Sequence, residues 1–198
     1  MKAVQMGFPA IAAEDASRVT YRIDVRDDIE FVSDSWVPFA TANGAPELAA
    51  GVVGRSLWDF VSEMTTRQIY RDLIARVRSG RTASFAYRCD APERRRFMHM
   101  TLRPTGFGGV QFDSVTIRIE TRRPIAIAAR TPDSADWLLR VCSWCRRVDV
   151  HGTWQEIEVA VQDLVVFAAG APPVLTHAIC PDCQARMLAE IGGGSSFV

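Results

Sequence analysis

The chain has no net charge: 23 Lys and Arg balance 23 Asp and Glu. That removes the broad positive field with which nucleic-acid binders displace counterions from phosphates, so nucleic acid is not an expected partner. Long apolar runs are also lacking. A membrane span takes about 18 to 20 consecutive apolar residues. The nearest approach, Val159 to Val174, is broken by Gln162, Asp163, Pro172 and Pro173, so no membrane attachment is expected. Nor do the first residues read as a secretory signal, because Gln5, Gly7 and Pro9 interrupt the weak apolar stretch before Glu14 and Asp15. Cysteine is sparse, five in all, and Cys89 stands apart from the other four. An odd set is not the even framework of a small secreted disulfide protein, and a reducing cytoplasm is the expected compartment. No Ser/His/Asp set, phosphate-cradling glycine loop or carboxylate pair stands out, and no kinase ATP-binding or receiver-like region either. The chain is therefore expected not to be an enzyme, and no catalytic residue is assigned.

What is present is a substantial apolar fraction, 48% of 198 residues, with ten Phe and five Trp. That is enough for one ordinary domain plus a small one. From Tyr21 the pattern has period two: Tyr21, Ile23 and Val25 alternate with charged neighbours, Asp27-Asp28 turns, and Ile29 and Phe31 resume. Short helices and turns follow through Trp36, Phe39 and Gly44. Ile69, Leu73, Ile74 and Val77 then repeat at helical spacing, with Thr65 or Thr66 as the expected cap and Gly80 as the left-handed stop. Three strands complete the pattern, through Phe85 and Tyr87, through Met98, Met100 and Leu102, and through Val115, Ile117 and Ile119. The turns among them are too short for parallel crossovers, which points to an antiparallel meander in an α+β domain.

Near the end of the chain stand two hooks, Cys142-Ser-Trp-Cys145 and Cys180-Pro-Asp-Cys183. Each presents two thiolates from one tight turn, and four soft anionic ligands suit a closed tetrahedral zinc site. The interval between the hooks exceeds the usual ribbon gap of about 15 to 20 residues, and an inserted helix accounts for the excess. Thr153-Trp-Gln-Glu156 has capping-box spacing, so the helix is expected to start there. Its apolar face would be Ile157, Ala160, Val161, Leu164, Val165 and Ala168, with Gly170 and Pro172-Pro173 as its stop. It is expected to pack across the metal and draw the hooks together. A thiol-redox pair at Cys180 and Cys183 is the competing reading, though the surroundings show no βαβ pattern and a second pair is superfluous to it. Zinc deaminase chemistry requires His-x-Glu, and neither His151 nor His177 is followed by Glu at that spacing. His177 could replace one thiolate, but four cysteines already fill a closed site, so it is read as a hydrogen-bonding neighbour of the metal.

Residues about 20 to 120 resemble a PAS domain, both in element order and in the phrase Gly54-Arg-Ser-Leu-Trp58-Asp-Phe-Val61. The resemblance implies a five-stranded antiparallel sheet with helices over one face, a pocket whose ligand the sequence does not name, and pairing into a homodimer. The photochemical flavin type needs a cysteine between Phe60 and Gly80, and the haem type a histidine in residues 62 to 80; neither is there. His99 is read as a hydrogen-bonded sheet histidine and Cys89 as a small strand-end residue. Arg94-Arg95-Arg96, with Arg88 and Arg103, is read as a solvated turn in preference to an anion site.

The last third resembles a zinc-binding tail of some bacterial PAS-containing histidine kinases and response-regulator proteins. The resemblance rests on Cys142, Cys145, Arg146-Arg147-Val148, Trp154, Glu158 and Thr176-His177-Ala178-Ile179-Cys180-Pro181-Asp182-Cys183. It implies a structural Zn²⁺ on Cys142, Cys145, Cys180 and Cys183, and a kinase or regulator as protein partner. The expected fold class is α+β, a PAS-like five-stranded antiparallel sheet with covering helices plus a small helix-containing zinc-binding domain. The expected map is an arm or capping helix over 1–19, the PAS-like domain over 20–120, a linker over 121–136, the Cys₄ module over 137–191 and a tail over 192–198. The expected function is non-catalytic cytoplasmic signalling through protein contacts. A nucleic-acid-binding or transcription-associated zinc protein and a thiol redox protein remain as alternatives.

Overall fold

The fold is that of a computed structural model, which describes residues 18–42, 45–48, 51–91, 93–123, 138–163 and 174–192. Period-two alternation builds a first sheet from β1 (Arg18–Ile23), β2 (Ile29–Val32), β3 (Ala83–Arg88), β4 (Arg94–Pro104) and β5 (Val110–Thr121). Its order is β2-β1-β5-β4-β3, and every neighbour is antiparallel. The first hairpin turns at Asp27, whose φ of 68° lies in the left-handed region where Asp is tolerated. β1 starts earlier than expected: Arg18 pairs with Val115, and Val19 is buried within the span assigned to the N-terminal arm.

The inner face carries Ile23, Phe85, Met100, Leu102, Val110 and Phe112, all buried. Here β5 departs from its apolar pattern. Val110 and Phe112 set the register, which turns Val115 and Ile117 to the opposite face and leaves Ile117 56% exposed.

Helix α1 (Trp36–Ala42) lies beside β1, and α2 (Met64–Arg78) covers the inner face with Ile69, Leu73, Ile74 and Val77. The cap of α2 is Glu63, not Thr65 or Thr66. Its carboxylate accepts from the Thr65 and Thr66 amides at 2.8 and 2.6 Å, satisfying two orphan donors at once. Gly80 follows the helix with a φ of +89°, as expected. Burial tends to raise the Glu63 pKa, but the hydrogen bonds from Thr66 and Thr65 hold it below the ordinary 4.5. A depressed carboxylate stabilises above its unfolded pKa and loses that contribution as pH falls through the folded value. Glu63→Ala is expected to cost about 1 kcal/mol at pH 7. Urea midpoints of the two proteins should converge once pH drops well below 4.5.

The Gly54–Val61 phrase has a clear local role. Ser56 caps a 3₁₀ turn over Leu57–Asp59, Leu57 enters the core, and the Trp58 indole N–H donates to Asp27 Oδ2 at 2.8 Å. Asp27 in turn accepts from Arg78 of α2 at 2.8 Å. The phrase thus ties the first hairpin to the end of the long helix.

The later residues form a second sheet from β6 (Leu138–Cys142), β7 (Val148–Val150), β8 (Thr153–Gln155) and β9 (Val174–Ala178), in the order β8-β7-β6-β9. Residues 153–155 are thus strand, and α3 (Ile157–Asp163) starts past the proposed capping box. The β7–β8 hairpin through His151 and Gly152, both at positive φ, fixes Thr153 in extended backbone, and Glu156 turns instead to Arg88 and Arg95. Ile157 and Ala160 of α3 are buried with Leu139, Val141 and Val148 in a small cluster of their own. The expected positions 164–170 and the Pro172-Pro173 stop lie outside the described residues, as does the linker beyond Arg123.

Strands β6 and β9 are parallel neighbours, a pairing not foreseen in the sequence. Cys142 ends β6 and Cys180 follows β9, so this pairing, and not a helix across the metal, brings the hooks together. Last comes α4 (Pro181–Gly192), which packs on α2 and β3. Along β3, the Ser84 amide donates to Glu190 of α4 at 3.0 Å and the Arg88 amide to the Trp144 carbonyl at 2.7 Å. The outer side of β3 is therefore occupied by the C-terminal residues.

Candidate metal centre

Three local devices place the four thiols. β6 delivers Cys142, a turn closed by Arg146 N–H donating to the Cys142 carbonyl at 3.0 Å returns Cys145, and the first turn of α4 carries Cys183 behind Cys180. All four Sγ atoms lie within 4.8 Å of one another. A tetrahedron with metal–sulfur bonds of about 2.3 Å has sulfur–sulfur edges of about 3.8 Å. Cys145 Sγ and Cys180 Sγ are 3.7 Å apart, close to that edge, and the bound of 4.8 Å on the other pairs is compatible with a single ion. The cluster can bind a metal ion such as zinc, and its four sulfurs leave no vertex for a substrate.

Backbone N–H groups point at the sulfurs, as charged thiolates require. Cys180 N–H donates to Cys142 Sγ and Cys183 N–H to Cys180 Sγ, both at 3.4 Å. Arg186, one helical turn beyond Cys183, donates to Cys183 Sγ at 2.9 Å and offsets part of the excess negative charge of four thiolates around a divalent ion. Without an ion the thiols ionise unequally. Hydrogen bonds from Cys145 and Cys183 pull the Cys142 pKa far below the thiol range. Cys145, hydrogen-bonded to Cys142, is pushed up to about 12, and Cys183 higher still, since each would charge beside an existing thiolate. A cation at the centre removes that opposition and lets all four ligate.

Cys142, Cys180 and Cys183 are buried in the same hydrophobic cluster as Ile69, Leu73, Phe85 and Phe112 of the first sheet and α2. Trp144, at the tip of the first hook and 3% exposed, makes this junction: its ring lies 6.2 Å from Tyr70 and 6.5 Å from Phe85. His177 is not in the thiol set. It sits on β9 opposite Val141, where burial and then Arg146 lower its pKa against a weaker opposing pull from Glu63. His99 lies mid-strand in β4 opposite Ala86, and Cys89 just past β3, where burial raises its pKa.

The arginine cluster is solvated only in part, at Arg94 and Arg103. Arg88 and Arg96 are 8% and 7% exposed. Arg88 pairs with Asp90 and, at 2.7 Å, with Glu156. Arg95 reaches Glu158 at 2.8 Å and Glu156 at 3.3 Å, and Arg122 joins Glu158 at 3.2 Å and Asp90 at 3.4 Å. Arg103 follows another course, to Asp113 at 2.9 Å. The carboxylates that meet Arg88 and Arg95 come largely from the start of α3, so this network fastens the first sheet to the second. Nothing local signals it, since Glu156 and Glu158 lie more than sixty residues along the chain from Arg88 and Arg95. Trp144 and α4 also escaped the sequence reading, although Pro181 at a helix start, Cys183 and Met187 at i and i+4, and Gly192 at the end mark that helix.

Among the described residues no helix is long and apolar enough to cross a membrane. No family model and no curated protein matches the sequence. A solved domain of an HTR-like protein from Haloarcula marismortui ATCC 43049 is similar over 51% of this chain and 98% of its own, at 18% identity and a TM-score of 0.36, a likeness too slight to fix the fold by itself.

Proposed function

We propose that the chain is a non-catalytic cytoplasmic signalling protein, in which a PAS-like sensing or dimerising domain is coupled to a structural zinc module that contacts a protein partner such as a histidine kinase or its regulator. The order β2-β1-β5-β4-β3, with α2 across the inner face, supports the PAS-like reading of residues 20–120. Zinc on Cys142, Cys145, Cys180 and Cys183 is supported by the closed four-sulfur geometry. The observation that carries the proposal is the shared core. Three of the four cysteines and Trp144 are buried among the residues of the first sheet and α2, so a change at the sensing core reaches the metal module through packed side chains.

Native mass spectrometry of the full chain tests it in one measurement. The expected result is one zinc per chain in a two-chain assembly. Zinc far below one per chain, or a Cys180→Ser protein with unchanged metal content and fold, would sink the zinc module. A strictly monomeric species would remove dimerisation. A salt-sensitive shift of DNA or RNA at physiological ionic strength would favour the nucleic-acid alternative instead.

A further inference from the structure

A cavity of about 250 Å³ lies against the aromatic core at the seam between the two sheets. Phe60, Tyr70, Phe85, Tyr87 and Trp144 wall it, and its polar groups are Glu63, Thr66, Arg146 and His177, with Ser62 and Ser143 beside them. Neither sheet makes this cavity alone: α2 and β3 supply one side, the first cysteine hook and β9 the other.

Its polar groups are unevenly committed. Glu63 already spends both carboxylate oxygens on the Thr65 and Thr66 amides. Thr66, 7% exposed, has a hydroxyl near enough to Glu63 to favour its ionised form but without a hydrogen bond of sound geometry. Arg146 is held at a φ of 61° by the hook, and its guanidinium has no hydrogen bond or carboxylate among the described residues. The Cys89 thiol and His177 both lie near enough to feel its charge. A half-buried guanidinium with no anion among the described residues, a buried hydroxyl only loosely placed against Glu63 and an imidazole, all facing a slot lined with aromatic rings, call for a ligand with complementary parts.

We propose that this seam cavity binds a small aromatic carboxylate, its ring between Tyr70, Tyr87 and Trp144 and its carboxylate on Arg146, with His177 and the Thr66 hydroxyl as further hydrogen-bonding groups. Guanidinium and carboxylate match in a two-point geometry, and offset or edge-on ring contacts orient the flat part. The volume sits at the small end of ligand pockets and suits one or two fused rings. The proposal deepens the sensing role above and rests on it, because the ligand would touch both sheets and stabilise their contact.

The probe is indole-3-carboxylate, titrated into the zinc-loaded full chain by calorimetry, with amide chemical shifts recorded in parallel. The neutral isostere indole-3-carboxamide is the control. The acid is expected to bind at least about tenfold tighter than the amide, with shifts concentrated at residues 62–66, 144–146 and 177. R146N, which tolerates left-handed backbone, should lose at least about tenfold in affinity for the acid and little for the amide. An acid that does not bind at millimolar concentration, a smaller acid-to-amide preference, or shifts elsewhere overturns the proposal. The acid-to-amide comparison uses the unmutated chain, so it stands even if R146N folds poorly. Zinc measured on the same samples keeps the two ideas apart: a zinc-loaded chain that ignores the acid overturns the pocket and spares the metal site.

Discussion

Cys180→Ser, or removal of zinc by a chelator, is expected to unfold more than the C-terminal residues: the α2 and β3 amides of the first sheet should lose hydrogen-exchange protection as well. A structural zinc contributes about 10 to 16 kcal/mol of apparent folding free energy in small zinc domains, against about 5 to 15 kcal/mol for the net stability of a whole domain. In an isolated module that loss would stay local. Here Cys142, Cys180 and Cys183 share a cluster with Leu73, Phe85 and Phe112, and the hook they hold carries Trp144 into the same core. Emptying the site also leaves buried thiols that ionise unequally, with Cys142 drawn down and Cys183 driven up. Thermal melts with and without chelator, read by near-ultraviolet circular dichroism and by exchange at Ile69–Val77, measure the effect. Full retention of protection in α2 after zinc loss would show that the two regions fold independently.

The second large effect is expected at Arg88. Arg88→Ala should destabilise by about 3 to 5 kcal/mol, because removing one partner of a buried ion pair strands the other. Among the described residues Asp90, whose side chain is 6% exposed, would keep only Arg122 at 3.4 Å, and Glu156 would lose its 2.7 Å contact. The wild-type pair itself adds less than this to stability, since both charges were desolvated to make it. The double variant Arg88→Met, Asp90→Asn should therefore recover a large part of the loss. Urea denaturation of Arg88→Met, Asp90→Asn and the double variant beside the wild type gives the coupling directly. A loss of less than about 1 kcal/mol for Arg88→Ala would mean that solvent reaches the network and screens it.

The legible parts of this molecule were those set by local rules. Alternation along β1 and β4, the helical period of Ile69 to Val77 and the left-handed stop at Gly80 depend on near neighbours, and these elements formed, with β1 shifted to start at Arg18 and to end before Val25. The hooks were legible for the same reason, since Cys-x-x-Cys describes a turn. Long-range pairing decided the rest. Thr153-Trp-Gln-Glu156 has the spacing of a capping box, but hairpin pairing with β7 costs less than starting a helix three residues early, and Arg88 and Arg95 claim the glutamate. Val115 and Ile117 alternate like core residues, yet Val110 and Phe112 on the same strand bury more and fix the opposite register. The arginines looked solvated because their carboxylates stand some sixty residues away, at Glu156 and Glu158.

One consequence follows from the covering of β3. A sheet edge with free amides and carbonyls is a template for another chain, and proteins shield or charge such edges to stay soluble. Here the shield is Glu190 on Ser84 and the Trp144 carbonyl on Arg88, both held by helix and hook geometry that the thiol cluster organises. Loss of the ion would free a strand reading Ala-Ser-Phe-Ala-Tyr-Arg, rich in aromatic and small residues and with one charge, to pair edge to edge with its like. The metal would then act as a guard against self-association, and zinc-depleted protein should form β-rich aggregates at concentrations where the loaded protein remains clear.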